Sequence, residues 1–188
     1  MNEDLVNPIN YGIPAEKIYY FREEVREKFN ISIEELESIG IHDGIIQIHK
    51  NLIKPLQKAQ EILKMNSYGL SIIDGYRSSE LYNLAYQKRL LLSGKENADN
   101  LMNMQSQPHA SGLAVDVGLF SVDTKKPVFF FDSKQDGEGA YFVDFYKHTD
   151  TPQAKEFFRI QILLFDTMFQ SGFSLGKKQE VWHFELVR

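Results

Sequence analysis

The run GLAVDVGLF (112–120) alternates as a β-strand should, yet it carries a carboxylate, Asp116, at its middle. A charge inside an apolar strand is costly unless it is paired, binds a cation or faces water from a sheet edge. A second segment, VWHFELV (181–187), poses the same problem. Trp182, Phe184 and Leu186 face one way there, and Val181, His183 and Glu185 the other. His109 precedes Asp116 by seven positions, in the polar stretch QSQPHASG. Taken singly, His109 and His183 read as ordinary surface or hydrogen-bonded histidines, and Asp116 as an edge carboxylate. Taken together, they outline one polar site divided along the chain.

The remaining pattern supplies the frame. Leu52, Leu56, Ala59 and Leu63 recur at helical spacing, with Pro55 suited to a first turn. GLSIIDG (69–75) is a short apolar run between glycines and reads as a buried strand. ELYNLAYQKRLLL reads as a helix capped by Ser78, with Leu81, Ala85 and Leu92 as its buried stripe, beside Leu84 and Leu91. Residues 93–108 are polar and read as a loop. KPVFFF (126–131) is expected to be a strand, a hairpin partner for 112–120. Residues 132–150 form a long Gly/Asp/Tyr-rich loop, of a length that is often functional. Thr151-Pro152 opens a helix that runs to about Ser171 and is closed by Gly172. Within residues 1–45, SIEELESIG holds a short helix ended by Gly40, and the segment is expected to wrap the core. Strands on short connections, with helices beside them, predict an α+β fold with a central antiparallel sheet flanked by helices. At 188 residues the chain fits a single domain, 1–188.

Composition narrows the chemistry. The chain has no cysteine, which excludes disulfides, thiolate-held zinc and thiol catalysis. Any transition-metal site must draw on His, Asp and Glu, and there are five histidines. The net charge is −5 with no basic cluster, which argues against nucleic acid as a partner. No apolar run reaches the roughly 18 residues of a membrane span, and the N-terminus lacks the features of a signal peptide, so a cytoplasmic location is the default expectation.

Two imidazoles and one carboxylate, His109, Asp116 and His183, match the three-ligand set of a catalytic zinc that keeps a position open for water. Gly112 can turn the chain between the first two. Glu180 lies three residues before His183, an odd spacing that would put it on the opposite face of a regular strand. It must sit in a turn or bulge if it serves the same site, where it can act as a general base. Arg77 follows the strand SIID. It is placed either to meet developing negative charge or to pair with Asp74 or Glu80.

These residues carry a resemblance. His109-Ala-Ser-Gly112-Leu-Ala114-Val-Asp116 resembles the H-x-x-G-x-A-x-D signature of the zinc D-Ala-D-Ala peptidases, the VanX/VanY-like metallopeptidases. Glu180-Val-Trp182-His183 is similar to their E-x-W-H, and Asp74-Gly-Tyr76-Arg77 to their D-x-Y-R. The motifs fall in family order over residues 74–183. The likeness is nearest to the D-alanyl-D-alanine dipeptidases and implies a hedgehog/DD-peptidase-like fold. It implies one zinc ion per chain on His109, Asp116 and His183, with Glu180 as base and Arg77 as transition-state stabiliser. Asp144, in YFVDF, resembles the aspartate that holds the substrate's free amino end. Tyr76, and Gln107 where the family has serine, join it as substrate-binding candidates. The implied reaction is zinc-dependent hydrolysis of a small D,D-dipeptide by a metal-activated water. The alternatives are a D,D- or L,D-carboxypeptidase or endopeptidase acting on peptidoglycan-derived peptides, and, from another class, a non-catalytic zinc-containing binding module. The sequence leaves the oligomeric state open.

Overall fold

The computed structural model describes residues 4–102 and 104–187. A short strand β1 (Leu5–Val6) leads into two helices, α1 (Glu23–Phe29) and α2 (Ile33–Ser38). Ser32 and Glu35 cap α2 reciprocally, and Gly40, at φ 84°, turns the chain after it. Next come β2 (Ile48–His49), α3 (Ile53–Lys64), β3 (Tyr68–Asp74), α4 (Ser79–Leu101), β4 (Ala114–Ser121) and β5 (Pro127–Val128). The chain ends with α5 (Ser133–Asp136), α6 (Pro152–Gln170), β6 (Phe173–Leu175) and β7 (His183–Leu186).

The main sheet runs β3-β4-β7-β6, with β5 paired to the end of β4, and every pairing in it is antiparallel. β4 is central, and residues 114–117 are buried on both faces. The apolar stripe of α3 (Leu56, Ala59, Leu63) is fully buried and packs with α6 into one large core cluster with the sheet. The expected α+β class with a central antiparallel sheet and flanking helices is the observed one. The N-terminal segment contributes Ile13, Tyr20, Phe29 and Leu36 to this core, all buried. Its backbone also bonds to Ile72 from both sides (Ile72 N–H to Pro14 O at 2.8 Å, Glu16 N–H to Ile72 O at 2.9 Å), which covers the outer edge of β3.

Four local expectations change. Residues 93–101, expected in a loop, are helical: α4 continues through a kink at Gly94 (φ 80°, ψ 171°). The polar residues lie on its solvent side, Ala98 is fully buried, and Asp99 accepts a 2.8 Å bond from Tyr86 across the kink. The buried stripe of α4 consists of Leu81, Tyr82 and Ala85 and stops there. Leu92 is 52% exposed and Leu91 84%, because the helix has left the core by that point. The expected strand 126–131 shrinks to Pro127–Val128, and the long loop 132–150 folds into α5 and two 3₁₀ turns, 138–141 and 145–148. Tyr146 anchors that loop: its hydroxyl donates to Asp136 (2.6 Å) and accepts from the Asp132 amide (2.9 Å), over a small cluster of Ala140, Ala154 and Phe157.

Candidate metal centre and its cleft

Sheet register assembles the site. Asp116 on β4 faces His183 on β7 and, across the other edge, Asp74 on β3. A bulge between Ile72 and Asp74 sets that last pairing. His109 arrives from the 3₁₀ turn Pro108–Ser111, which ends at Gly112 in the left-handed region (φ 71°). A Cβ at Gly112 would also stand 2.7 Å from Leu5, so glycine there serves both turn and packing.

His109 is held on every side. Its amide donates to the Tyr82 hydroxyl (2.9 Å), and its Nδ1–H donates to the Gly75 carbonyl (2.6 Å). That bond leaves Nε2 free as a ligand atom. His183 places Nε2 3.4 Å from Glu185 and turns Nδ1 inward. The three inward atoms form a tight triangle: His109 Nε2 to His183 Nδ1 3.1 Å, His183 Nδ1 to Asp116 Oδ1 2.7 Å, and His109 Nε2 to Asp116 Oδ1 3.3 Å. Tetrahedral zinc with bonds of roughly 2.0–2.2 Å puts neighbouring ligand atoms about 3.3 Å apart. The donor set therefore fits such an ion with shifts of a few tenths of an ångström. His109, Asp116 and His183 are all buried and form a group able to hold a metal ion. His148 and Asp150 stay exposed at the surface, Asp150 paired with Lys155, so neither supplies a fourth ligand.

Charge is organised around the triangle. Burial disfavours the His183 cation, but the hydrogen bonds to Asp116 and Glu185 outweigh it and push its pKa up to about 9. Burial and then the Arg77 charge push His109 below its ordinary value. Burial likewise opposes the Asp116 charge, yet the two histidines hold it well below the usual carboxylate range. An incoming cation thus meets an anionic Asp116, a neutral His109, and a His183 that must give up its proton.

Glu180 joins the same side through a turn. His183 N–H donates to Glu180 O (3.1 Å), and the strand begins only at His183, which resolves the odd spacing. Residues 141–143 clamp this turn, with Val181 N–H to Tyr141 O at 2.9 Å and Val143 N–H to Gln179 O at 3.1 Å. Burial, then the neighbouring Asp116 charge, raise Glu180 to about 7, the range suited to a proton shuttle. Of the two roles weighed for Arg77, the structure shows the ion pair. It bonds Asp74 through Nε (2.9 Å) and Nη2 (2.8 Å) and Asp116 through Nη2 (3.2 Å), which leaves Nη1 without a hydrogen bond among the described residues. Its partner is Asp74, not Glu80.

All five groups line one cleft of about 310 Å³, which also has an aromatic lining: the Trp182 ring centroid stands 5.0 Å from those of both Phe131 and Tyr141. The substrate-binding candidates fare differently. Asp144 sits at φ 67° at the head of the 145–148 turn, its side chain 64% exposed and 3.4 Å from Lys147, off the cleft wall. Gln107, also left-handed, accepts from Ser79 at the start of α4 (3.4 Å). Tyr76 is tied by its amide to Gln47 O (2.7 Å). Neither Gln107 nor Tyr76 lines the cleft.

Two site features went unread in the sequence. Glu185 was assigned to the His183 face of its strand but given no role, although it braces that ring. Gly176 carries no motif, yet a Cβ there would stand 2.2 Å from His183 Cδ2 and 2.7 Å from Nε2. Gly176→Ala is therefore expected to displace the ring and weaken zinc binding about tenfold or more, as loss of a bracing contact does. Competition with a chromophoric chelator measures it, and unchanged affinity would show that the ring has room to move.

No family model matches the chain, and no curated protein matches it. Solved structures do. One is the LdcB LD-carboxypeptidase, aligned with a TM-score of 0.51 at 20% identity over 98% of this chain and 68% of that one. Another is a Zn(II) complex of a mutant of the vancomycin resistance D,D-pentapeptidase VanY from a VanB-type cassette. It aligns with a TM-score of 0.50 at 14% identity, over 78% of this chain and 75% of that one. The chain has the fold of these two peptidases.

Proposed function

We propose that the protein is a zinc-dependent carboxypeptidase that trims D,D- or L,D-linked peptides of the peptidoglycan type. The observation that carries this reading is the convergence of His109 Nε2, Asp116 Oδ1 and His183 Nδ1 beside a half-buried glutamate raised to about 7. The names of the two aligned peptidases support the substrate class. Zinc on His109, Asp116 and His183 would supply Lewis acidity towards water and the scissile carbonyl. Glu180 takes the proton of the attacking water as its oxygen adds to the carbonyl carbon, then delivers it to the amine nitrogen as the C–N bond breaks. Arg77, fixed by Asp74 and Asp116, offers Nη1 to the developing oxyanion.

A dipeptidase needs a group to hold the free ammonium of its substrate. Asp144, the residue expected to do so, lies outside the cleft, and this favours the carboxypeptidase over the narrower D-Ala-D-Ala dipeptidase. The test is release of D-alanine by the zinc-loaded protein from D-Ala-D-Ala, from N-acetyl-D-Ala-D-Ala, and from stem tetra- and pentapeptides, beside Glu180→Ala. The blocked and longer peptides are expected to be cut, with Glu180→Ala inactive. Cleavage of the free dipeptide alone restores the dipeptidase. No cleavage of any peptide, with one zinc tightly bound, leaves a binding module.

A further inference from the structure

The cleft contains a second guanidinium that hydrolysis leaves unused. Arg89, on α4, donates its Nε–H to the hydroxyl of the buried Tyr20 (3.2 Å), and its guanidinium lies over the Phe29 ring at 4.8 Å. Tyr20 also has Arg77 over its ring at 5.8 Å, so a single aromatic side chain separates the two arginines.

The two differ in neutralisation. Arg77 is paired with both Asp74 and Asp116. Arg89 makes no ion pair among the described residues, and its two terminal nitrogens make no hydrogen bond there. It is half-buried, and it lines the cleft together with Tyr19 and Lys28. A partly desolvated cation without a counter-ion is costly, and a fixed planar fork of N–H donors matches a carboxylate. Stacking on Phe29 and the bond to Tyr20 orient that fork before any ligand arrives.

We propose that Arg89 is a specificity-determining residue that binds the carboxylate of the peptide's C-terminal residue, so that the cleft selects free chain ends. The proposal rests on the peptidase reading above. Its chemistry would also suit a side-chain carboxylate within a stem peptide, and a C-terminal amide separates the two sources.

The zinc-loaded full chain is assayed with N-acetyl-D-Ala-D-Ala and its C-terminal amide, as wild type, Arg89→Gln and Arg89→Lys. The wild type is expected to prefer the acid by about thirtyfold in kcat/KM, mostly through KM, as one charge-assisted pair provides. In Arg89→Gln that ratio collapses towards one, and Arg89→Lys keeps part of it. A second readout needs no turnover: the ¹⁵N signal of the Arg89 Nε–H is followed while N-acetyl-D-alanine or N-acetyl-D-alaninamide is added. The acid is expected to move it to saturation and the amide to leave it in place. Equal cleavage of acid and amide by wild type overturns the proposal, as does a ratio that survives Arg89→Gln or an Arg89 signal indifferent to the acid. A signal moved by an amidated peptide that retains an acidic side chain overturns the terminal assignment. If no peptide is cut at all, the peptidase reading falls by itself, and the Arg89 signal still decides whether a terminal carboxylate is bound.

Discussion

Glu180→Gln is expected to lower kcat by about a thousandfold, within the range that a positioned general base contributes, while leaving zinc stoichiometry intact. The same change is expected to stabilise the metal-free protein. Glu180 ionises near 4.5 in the unfolded chain and at about 7 in the fold, so the fold prefers it neutral. Below pH 4.5 the group is protonated in both states and the variant gains nothing. As pH rises through 7 the folded protein carries an ionised carboxylate beside Asp116, and the penalty becomes complete. The ceiling is about 3 kcal/mol at roughly 1.4 kcal/mol per pH unit, and water at the cleft mouth reduces it to about 1–2 kcal/mol. Urea unfolding of metal-free wild type and variant at pH 4, 6 and 8 measures it. A bound cation favours the carboxylate, so the gain should shrink when zinc is added. A gain that is constant with pH would show that it does not come from the charge of Glu180.

Asp116→Ala is expected to be the most disruptive single change. It removes a proposed ligand atom and weakens the support of two cations: Arg77 loses one of its two carboxylates, and His183 loses the first of the two carboxylates, Asp116 and Glu185, that raise it to about 9. Breaking a buried ion pair from one side costs about 3–5 kcal/mol. The pH dependence identifies the cause. Stabilisation by His183 is fully present below its unfolded value of 6.5 and is lost as pH rises through about 9. Stabilisation by Asp116 is present above 3.8 and is lost only as pH falls through its lowered folded value. The destabilisation should therefore be largest near pH 6 and clearly smaller at pH 9.5, since the neutral His183 no longer needs a partner. Zinc should no longer protect the variant against thermal unfolding. Retained protection would remove Asp116 from the proposed ligand set.

The site was legible in part because several of its members announce themselves locally. A carboxylate in AVDV and a histidine in VWHFELV are each costly in a strand unless something meets them, and that cost is visible without a structure. Helix ends were legible for a similar reason. The Ser78 hydroxyl accepts from Leu81 N–H (3.2 Å) and the Thr151 hydroxyl from Ala154 N–H (3.1 Å), contacts that span three residues and depend on nothing distant. Polar content misled at 93–101, where the solvent face of a kinked helix was taken for a loop. Apolar content misled at Leu91 and Leu92, which lie beyond the end of the core.

The sequence by itself determined the α+β layout, the candidate metal residues and the need for Glu180 to leave the strand, because these follow from periodicities and desolvation costs acting over a few residues. Only the tertiary structure decided that Asp74, Asp116 and His183 stand side by side on three strands, since a bulge on β3 sets the first pairing and the β4–β7 register the second. Only it showed that Gly176 clears space for His183, that Asp144 faces solvent, and that Arg89 enters the cleft without an ion pair among the described residues. Those facts depend on which side chains packing brings together across dozens of residues, and no local pattern encodes that distance.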